Sequence, residues 1–226
     1  RMKRKRETAA THIEHPLSPI YDERSRVLVL GSLPSPKSRE VGFYYGHPQN
    51  RFWRVLAALF DEPLATTNER RRDQLLRHHI ALWDVVASCD IEGASDASIV
   101  NAQPNDLQPL LAHAPIKAVF CTGAKAAELY ARLIEPTVGL ACTKLPSTSP
   151  ANAATSFDEL LEAYRALLAP LHEPPARTMD VADVFALEKA IDANGTSLAE
   201  LMDRAGGALA HHVHCAHPSS RIAILC

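Results

Sequence analysis

The segment GSLPSPKSREVGFYYGHPQNRFW, at residues 31–53, brings together the amide, aromatic and small residues that ligand chemistry needs. Asn50 directly precedes a helical pattern, and its amide is expected to orient a water molecule by accepting a hydrogen bond, although it cannot take a proton far. The alternative role for the same side chain is to cap the helix N-terminus. Phe43, Tyr44 and Tyr45 lie in the loop ahead of it, where at least one ring is expected to stack on a planar ligand. The segment therefore has the composition of an active-site loop.

Other candidate residues stand where predicted strands end. Gly31, Ser32 and Pro34 form a tight turn in which backbone N–H groups can approach a ligand. Asp84, in the sequence LWDVV, lies late in a strand. It either accepts a hydrogen bond from a ligand N–H or pairs with an arginine near the strand end. His47 fits either a phosphate donor or an ordinary loop histidine.

The elements that must position these residues follow from the apolar pattern. Short apolar segments bounded by turn formers predict buried strands at 26–31, 80–88, 117–122 and 139–145. Helical spacing predicts helices at 50–60, 68–79, 105–113, 124–134 and 156–168. This alternation predicts an α/β fold, a three-layer α/β/α arrangement around a central four-stranded parallel sheet. Ligands of such sheets bind beyond the carboxyl ends of the strands, so segments 31–51, 88–98 and 145–152 are expected to converge there.

Composition sets the class of protein. The chain has 226 residues, 46% of them hydrophobic and 22% charged, and it has neither an apolar run of membrane-spanning length nor a visible secretory leader. Five scattered cysteines indicate free thiols in a reducing, cytoplasmic setting. Residues 1–60 hold 11 Lys and Arg against 5 Asp and Glu, a balance compatible with phosphate contacts. For the basic residues 1–6, a solvated tail is an equally good explanation.

Three blocks in order carry a family resemblance that covers roughly residues 12–170. The first, LGSLPSPKSREVGFYYGHPQNRFWRVL, resembles the first motif of the uracil-DNA glycosylase superfamily, and most closely that of its hypoxanthine-DNA (DNA-deoxyinosine) glycosylase branch. ALWDVVASCDIEGASDASI, at residues 81–99, resembles the second block of that branch. KLPSTSPANA, at residues 144–153, is similar to its closing motif.

The resemblance implies a role for each matched residue. It makes Asn50 the catalytic residue that positions water, and it implies two further sets. The base-binding set is Gly31, Ser32, Phe43, Tyr44, Phe52 and Asp84, although ordinary core packing is an equal alternative for Phe52. The DNA-binding set is Pro34, His47, Leu145, Pro146, Ser147, Thr148 and Ser149, with an apolar residue of the closing motif wedged into the DNA. Leu145 stands where uracil-specific branches carry a histidine, a departure that fits a purine leaving group.

These matches imply a monofunctional glycosylase that releases hypoxanthine from deoxyinosine in DNA, with no metal or redox cofactor. Its expected partner is double-stranded DNA containing deaminated bases, with no membrane association, and the protein is expected to be a monomer. Two alternatives stay open: a uracil or mismatch-specific glycosylase of the same fold, and a non-catalytic DNA- or nucleotide-binding module.

The chain divides into an expected glycosylase domain at 12–171, a linker at 172–178 and a segment at 179–226. That last segment resembles the start of an NAD(P)H-hydrate epimerase domain and is incomplete. Its sequence HHVHCAHP is not expected to bind metal, because His211, His212 and His214 cannot share one helix face. Cys89 and Cys121 are expected to be buried thiols rather than nucleophiles.

Overall fold

The computed structural model describes residues 10–172, which form two β-sheets covered by helices. The strands are β1 (Thr11–Glu14), β2 (Val27–Gly31), β3 (Ile80–Asp84), β4 (Val86–Ile91), β5 (Val100–Pro104), β6 (Ala118–Thr122) and β7 (Cys142–Leu145). The α-helices are α1 (Pro36–Val41), α2 (Phe52–Leu59), α3 (Asn68–Arg77), α4 (Gln108–His113), α5 (Ala124–Leu133), α6 (Glu135–Val138), α7 (Phe157–Tyr164) and α8 (Leu168–His172).

The larger sheet is parallel and has four strands in the order β3-β2-β6-β7. Its inner strand β2 is buried along its whole length, because successive residues face apolar layers on opposite sides. Val29 packs in a core shared with α2, α3 and α7, whereas Leu28 and Leu30 pack in a core shared with α4 and α5. The predicted three-layer α/β/α fold with a four-stranded parallel sheet is confirmed.

The second sheet was not predicted from the sequence. It is antiparallel, has the order β1-β4-β5, and takes up the end of the segment that was predicted as one strand at 80–88. The chain leaves the parallel sheet at Val85, although the residues stay apolar and contain no turn former. The bend is held from a distance, since the Asn105 side-chain N–H₂ donates to the carbonyls of Asp84 and Val86 at 2.9 and 3.2 Å. No local signal marks such a bend.

Replacing Asn105 with alanine is expected to destabilise the protein by about 2 kcal/mol, because it leaves the two carbonyls at the bend without their donor. Urea denaturation monitored by tryptophan fluorescence measures the change. Gln103→Ala is the matched control, since Gln103 is an exposed amide near the end of β5, two residues before Asn105. Equal stability of the two variants would contradict the role given to Asn105.

The five predicted helices are present with shifted ends, and three short helices, α1, α6 and α8, were not predicted. The helix predicted from residue 50 begins at Phe52, and α1 was missed because three of its six residues, PKSREV, are charged and no apolar period shows. Helix α7 lies within the predicted range 156–168 and starts after a capping box, in which the side chains of Ser156 and Glu159 each accept from the other residue's backbone N–H.

Other expectations concern features beyond the site. Among residues 10–172, no helix has both the length and the apolar character needed to cross a bilayer. Cys89 and Cys121 are buried, and burial raises the pKa of both thiols. The linker after His172, the segment 179–226 and its histidines lie outside the described residues.

Candidate active site

A cavity of about 520 Å³ opens at the carboxyl ends of the parallel strands. Its walls come from the turn after β2, the loop before α2, the end of β3, the loop after β4 and the loop after β7. The predicted convergence of 31–51, 88–98 and 145–152 is therefore what the fold produces. Of the predicted site residues, the lining includes Gly31, Ser32, Pro34, Tyr44, Asn50, Asp84, Ser147, Thr148 and Ser149.

Asn50 lies in the cavity wall with its amide held in one orientation. Its Oδ1 accepts hydrogen bonds from the Phe52 backbone N–H and from the Thr148 hydroxyl, both at 2.9 Å. A backbone N–H can only donate, so Oδ1 and Nδ2 cannot exchange places. Arg51, and not Asn50, is the N-cap residue of α2, although Asn50 Oδ1 satisfies the first N–H of that helix from its place in the cavity wall. Both lone pairs of Oδ1 are used, so the expectation that Asn50 accepts a hydrogen bond from water is wrong. The group left for a ligand is the N–H₂, which has no acceptor among residues 10–172.

The aromatic run places its third ring at the site. Tyr45 lines the cavity with φ +49°, stacks on Phe52 at a centroid distance of 3.9 Å, and its hydroxyl lies 2.9 Å from Thr122 Oγ1. Tyr44 also reaches the cavity, but it is almost fully buried and donates from its hydroxyl to the Ser18 carbonyl. Phe43 packs on Trp53 instead, with the centroids 5.8 Å apart.

The base-binding assignments of Phe43 and Phe52 are therefore wrong as direct contacts. Phe52 has no exposed surface, because it is the first residue of α2 and points into the core between Tyr45 and Tyr164. Its role is to back the Tyr45 ring. Periodicity alone did not distinguish the ring at the cavity from those beside it, since Tyr45 lies in a loop with a left-handed backbone, where side chains follow no regular alternation.

Two carboxyl groups face the cavity. Asp84 ends β3 opposite Gly31, and its Oδ2 lies 2.9 Å from His15 Nε2, so the arginine partner expected as one alternative is wrong. A Cβ at Gly31 would lie 2.2 Å from Asp84 Oδ1, so this position requires glycine. The Ser32 hydroxyl donates to Asp96 Oδ2 at 2.6 Å. Burial, followed by the charge of Asp84, raises the pKa of Asp96.

Comparison with known proteins decides the family. Residues 18–168 match the model of the uracil DNA glycosylase superfamily. The chain belongs to that superfamily. A hypoxanthine DNA glycosylase of Methanosarcina barkeri is 39% identical over 112 residues, covering 49% of this chain and 71% of the relative. A hypoxanthine DNA glycosylase of Methanosarcina acetivorans is 34% identical over 134 residues, covering 59% of this chain and 84% of the relative.

A solved structure agrees with these matches. A solution NMR structure from Methanosarcina acetivorans, described as a candidate uracil DNA glycosylase, is 31% identical with a TM-score of 0.59. The alignment covers 70% of this chain and 99% of that one. The family assignment made from the sequence blocks is confirmed.

Within the superfamily's closing motif, two predicted DNA contacts are corrected. Leu145 is 2% exposed because β7 pairs it with Thr122 and turns its side chain into the core. Thr148 is 1% exposed, and its hydroxyl serves Asn50 rather than a phosphate. The exposed apolar tip of this loop is Pro150 and Ala151.

Four further predicted DNA contacts are the closing-motif residues Pro146, Ser147 and Ser149, together with His47. Ser147 and Ser149 are half-buried cavity residues, whereas Pro146 accepts the Tyr164 hydroxyl at its carbonyl, 3.2 Å away. His47 lies outside the cavity lining, and its Nδ1 accepts the Gln49 backbone N–H. DNA contacts by these four residues stay predictions.

Sequence reasoning missed Arg51, although it holds this loop of the glycosylase fold. Its guanidinium donates to the carbonyls of Ser149, Asn152 and Thr155. An arginine at the start of a helix has the sequence signature of a surface residue, so no local signal identified it. His15 was also missed. It lies 69 residues before Asp84 in the chain, and nothing in the sequence near either residue indicates that their side chains meet.

Proposed function

We propose that the chain is a monofunctional DNA glycosylase that hydrolyses the N-glycosidic bond of deoxyinosine, releases hypoxanthine and leaves an abasic site. The observation that carries this proposal is one cavity bounded by a fixed Asn50 amide, the Tyr45 ring and the Asp84 carboxyl group. The names of the two Methanosarcina relatives support the substrate. The expected partner is duplex DNA with a deaminated base, bound by a monomer.

A target base inside a duplex must be turned out of the stack to reach this cavity. Tyr45 offers the stacking surface, because Phe52 supports one face of its ring and the residue lines the cavity. Asp84 Oδ1 offers an acceptor for a ring N–H of the base. Hypoxanthine carries such a group at N1, whereas adenine has an unprotonated nitrogen there and meets the carboxylate with a lone pair.

Asn50 is the proposed water-positioning residue. Its free N–H₂ holds the water oxygen by donating to one lone pair, and the second lone pair attacks C1′ of the sugar as the C1′–N9 bond breaks. The proton that the water loses passes to the departing hypoxanthine or to solvent, because the Asn50 amide does not accept it. The transition state has the character of an oxocarbenium ion, which is electrophilic enough that an amide without basic strength suffices. Negative charge builds on the departing base, and a purine accommodates it by protonation or hydrogen bonding at its ring nitrogens.

The residue at position 145 favours hypoxanthine over uracil. In the uracil-specific branches the family resemblance places a histidine there, which stabilises the uracil anion at O2. Here the position holds Leu145, which is buried and has no donor. This observation supports a purine leaving group.

End-labelled duplexes that carry a single deoxyinosine, deoxyuridine or deoxyxanthosine test the proposal. Each is incubated with the protein and treated with hot alkali, which cleaves at abasic sites. We expect cleavage at deoxyinosine to be fastest, and no cleavage before alkali. Preferred cleavage at deoxyuridine would contradict the substrate, and binding without cleavage of any duplex would contradict the enzyme activity.

Tyr45→Leu is expected to lower the single-turnover rate on deoxyinosine by about 10- to 100-fold, because it removes a stacking contact. Tyr45→Phe is the matched control: it keeps the ring and removes only the hydroxyl contact to Thr122. We expect it to stay within a few-fold of wild type. Equal rates for the two variants would exclude Tyr45 as the stacking surface.

We also infer that the glycosylase domain, residues 12–171, is separate from the epimerase-like segment at 179–226. Limited proteolysis with mapping of the cleavage sites tests this boundary. Preferred cleavage within the linker at 172–178 is the expected result, and resistance there would contradict it.

A further inference from the structure

His15 reaches the active site from outside all three blocks that identify the family. It lies just after β1, and its backbone N–H donates to the Ala87 carbonyl at 2.7 Å. Its side chain is 2% exposed and lies 2.9 Å from Asp84 Oδ2, with Asp84 6% exposed. The rings of Tyr44 and Trp83 flank the imidazole at 6.3 and 6.4 Å. A polar pair this deeply buried carries a desolvation cost, so its geometry requires an explanation.

The proton positions on the imidazole follow from its two contacts. The Leu17 backbone N–H lies 3.2 Å from His15 Nδ1, and a backbone N–H can only donate. Nδ1 therefore accepts and carries no proton. The proton of the neutral ring is on Nε2, which donates to Asp84 Oδ2.

The His15 hydrogen bond gives the two carboxyl oxygens of Asp84 different roles. Oδ2 is occupied by the His15 N–H, whereas Oδ1 lies over Gly31 at the cavity and receives no hydrogen bond from residues 10–172. The side chain of Asp84 is held by this hydrogen bond and by its burial, and its backbone carbonyl is held by Asn105. One oxygen is thus held toward the protein and the other toward the ligand.

We propose that His15 is a positioning residue that makes Asp84 Oδ1 an obligate acceptor for a lactam N–H, and so discriminates hypoxanthine from adenine, and uracil from cytosine. The inference rests on the proposed function. Hypoxanthine, xanthine and guanine at N1, and uracil and thymine at N3, carry that N–H, whereas adenine and cytosine do not. The contact therefore excludes adenine and cytosine, the parents of hypoxanthine and uracil, and leaves guanine and thymine to other features of the site. An imidazole whose Nδ1 is occupied by Leu17 offers only a donor to position 84, which fixes the polarity presented to the base.

The fixed His15 donor leads to a specific prediction for Asp84→Asn. The His15 N–H donates only to the amide oxygen, so the amide N–H₂ is forced toward the cavity, where it opposes the lactam N–H. We expect single-turnover excision of hypoxanthine to fall by at least about 100-fold. His15→Gln keeps an N–H donor and is expected to retain most of the activity, whereas His15→Phe removes the donor and is expected to lower the rate by about 10- to 100-fold.

The double variant His15→Gln/Asp84→Asn decides the matter. A glutamine amide can turn its oxygen toward position 84, which lets the second amide reverse and present its oxygen to the base. We expect the double variant to be at least about tenfold faster than Asp84→Asn alone, a non-additive gain that a structural role does not produce. The same substitutions at the exposed pair His12 and Asp90 are the matched controls and are expected to change nothing.

Melting temperatures and affinity for a duplex with a non-cleavable abasic analogue establish that each variant is folded and binds DNA. A double variant no faster than Asp84→Asn overturns the proposal, as does an Asp84→Asn variant with wild-type rates. Should wild type excise no base, the proposed function fails, and ¹⁵N NMR of the His15 ring still reports on the positioning. A protonated Nε2 and unprotonated Nδ1, perturbed by Asp84→Asn but not by Asp90→Asn, is the expected spectrum, and a protonated Nδ1 would contradict the assignment.

Discussion

Alanine in place of Asn50 is expected to lower excision of hypoxanthine by at least about 1,000-fold while leaving DNA affinity unchanged. The loss is expected because the Asn50 N–H₂ points into the cavity in a fixed orientation and is proposed to hold the attacking water. Affinity is expected to stay the same because the amide acts only on that water. The rate is measured in single turnover on a deoxyinosine duplex with enzyme in excess. Affinity is measured with the duplex that contains the non-cleavable abasic analogue.

A second variant separates the two contacts of Asn50. Its Oδ1 accepts the Phe52 N–H at the start of α2, so the alanine variant is also expected to lose about 1 kcal/mol of stability. Asn50→Ser keeps a cap oxygen but has no amide, so it is expected to be as stable as wild type and as inactive as the alanine variant. A serine variant with substantial activity would mean that the amide positions the helix and not the water.

The parallel sheet could be predicted from the sequence because its signals are local. Its strands β2, β3 and β6 are short, mainly apolar runs, and β2 is hydrophobic without interruption because both of its faces are covered. The three-stranded sheet could not be predicted in this way. Strand β4 continues β3 after one residue, and the bend is held by Asn105, about twenty residues further along the chain.

The site shows the same division between local and distant signals. Asn50, Asp84 and the turn at Gly31 were predicted because they lie at the ends of regular elements, which parallel topology brings together. Sequence position did not predict which way Tyr45 and Phe52 point. The loop that holds Tyr45 has a left-handed residue, so its side chains follow no regular alternation. Nor did sequence position predict Leu145 as a core residue, since its exposure depends on the register of β7 against β6.

Replacing Arg51 with methionine is expected to destabilise the protein by about 3 kcal/mol, because three carbonyls of the closing loop lose a charged donor. Ser149, Asn152 and Thr155 are the residues whose carbonyls are affected. The same loop supplies Thr148, whose hydroxyl and carbonyl contact Asn50 Oδ1 and the Arg51 backbone N–H. Loss of the Arg51 hydrogen bonds is therefore expected to disturb the Asn50 amide as well as the loop after β7.

Catalysis in the Arg51→Met variant is expected to fall by about 100-fold at a temperature where the protein is still folded, because a misplaced amide no longer holds the water in line. Arg54→Met is the matched control. Arg54 lies on the same helix, is exposed, and stacks over Phe157 at 5.0 Å, so its loss is expected to cost less than about 1 kcal/mol. Urea denaturation and single-turnover rates measure both variants. Equal stability and equal rates would show that the loop after β7 is held by its own turns, and that Asn50 owes its orientation to the Phe52 N–H alone.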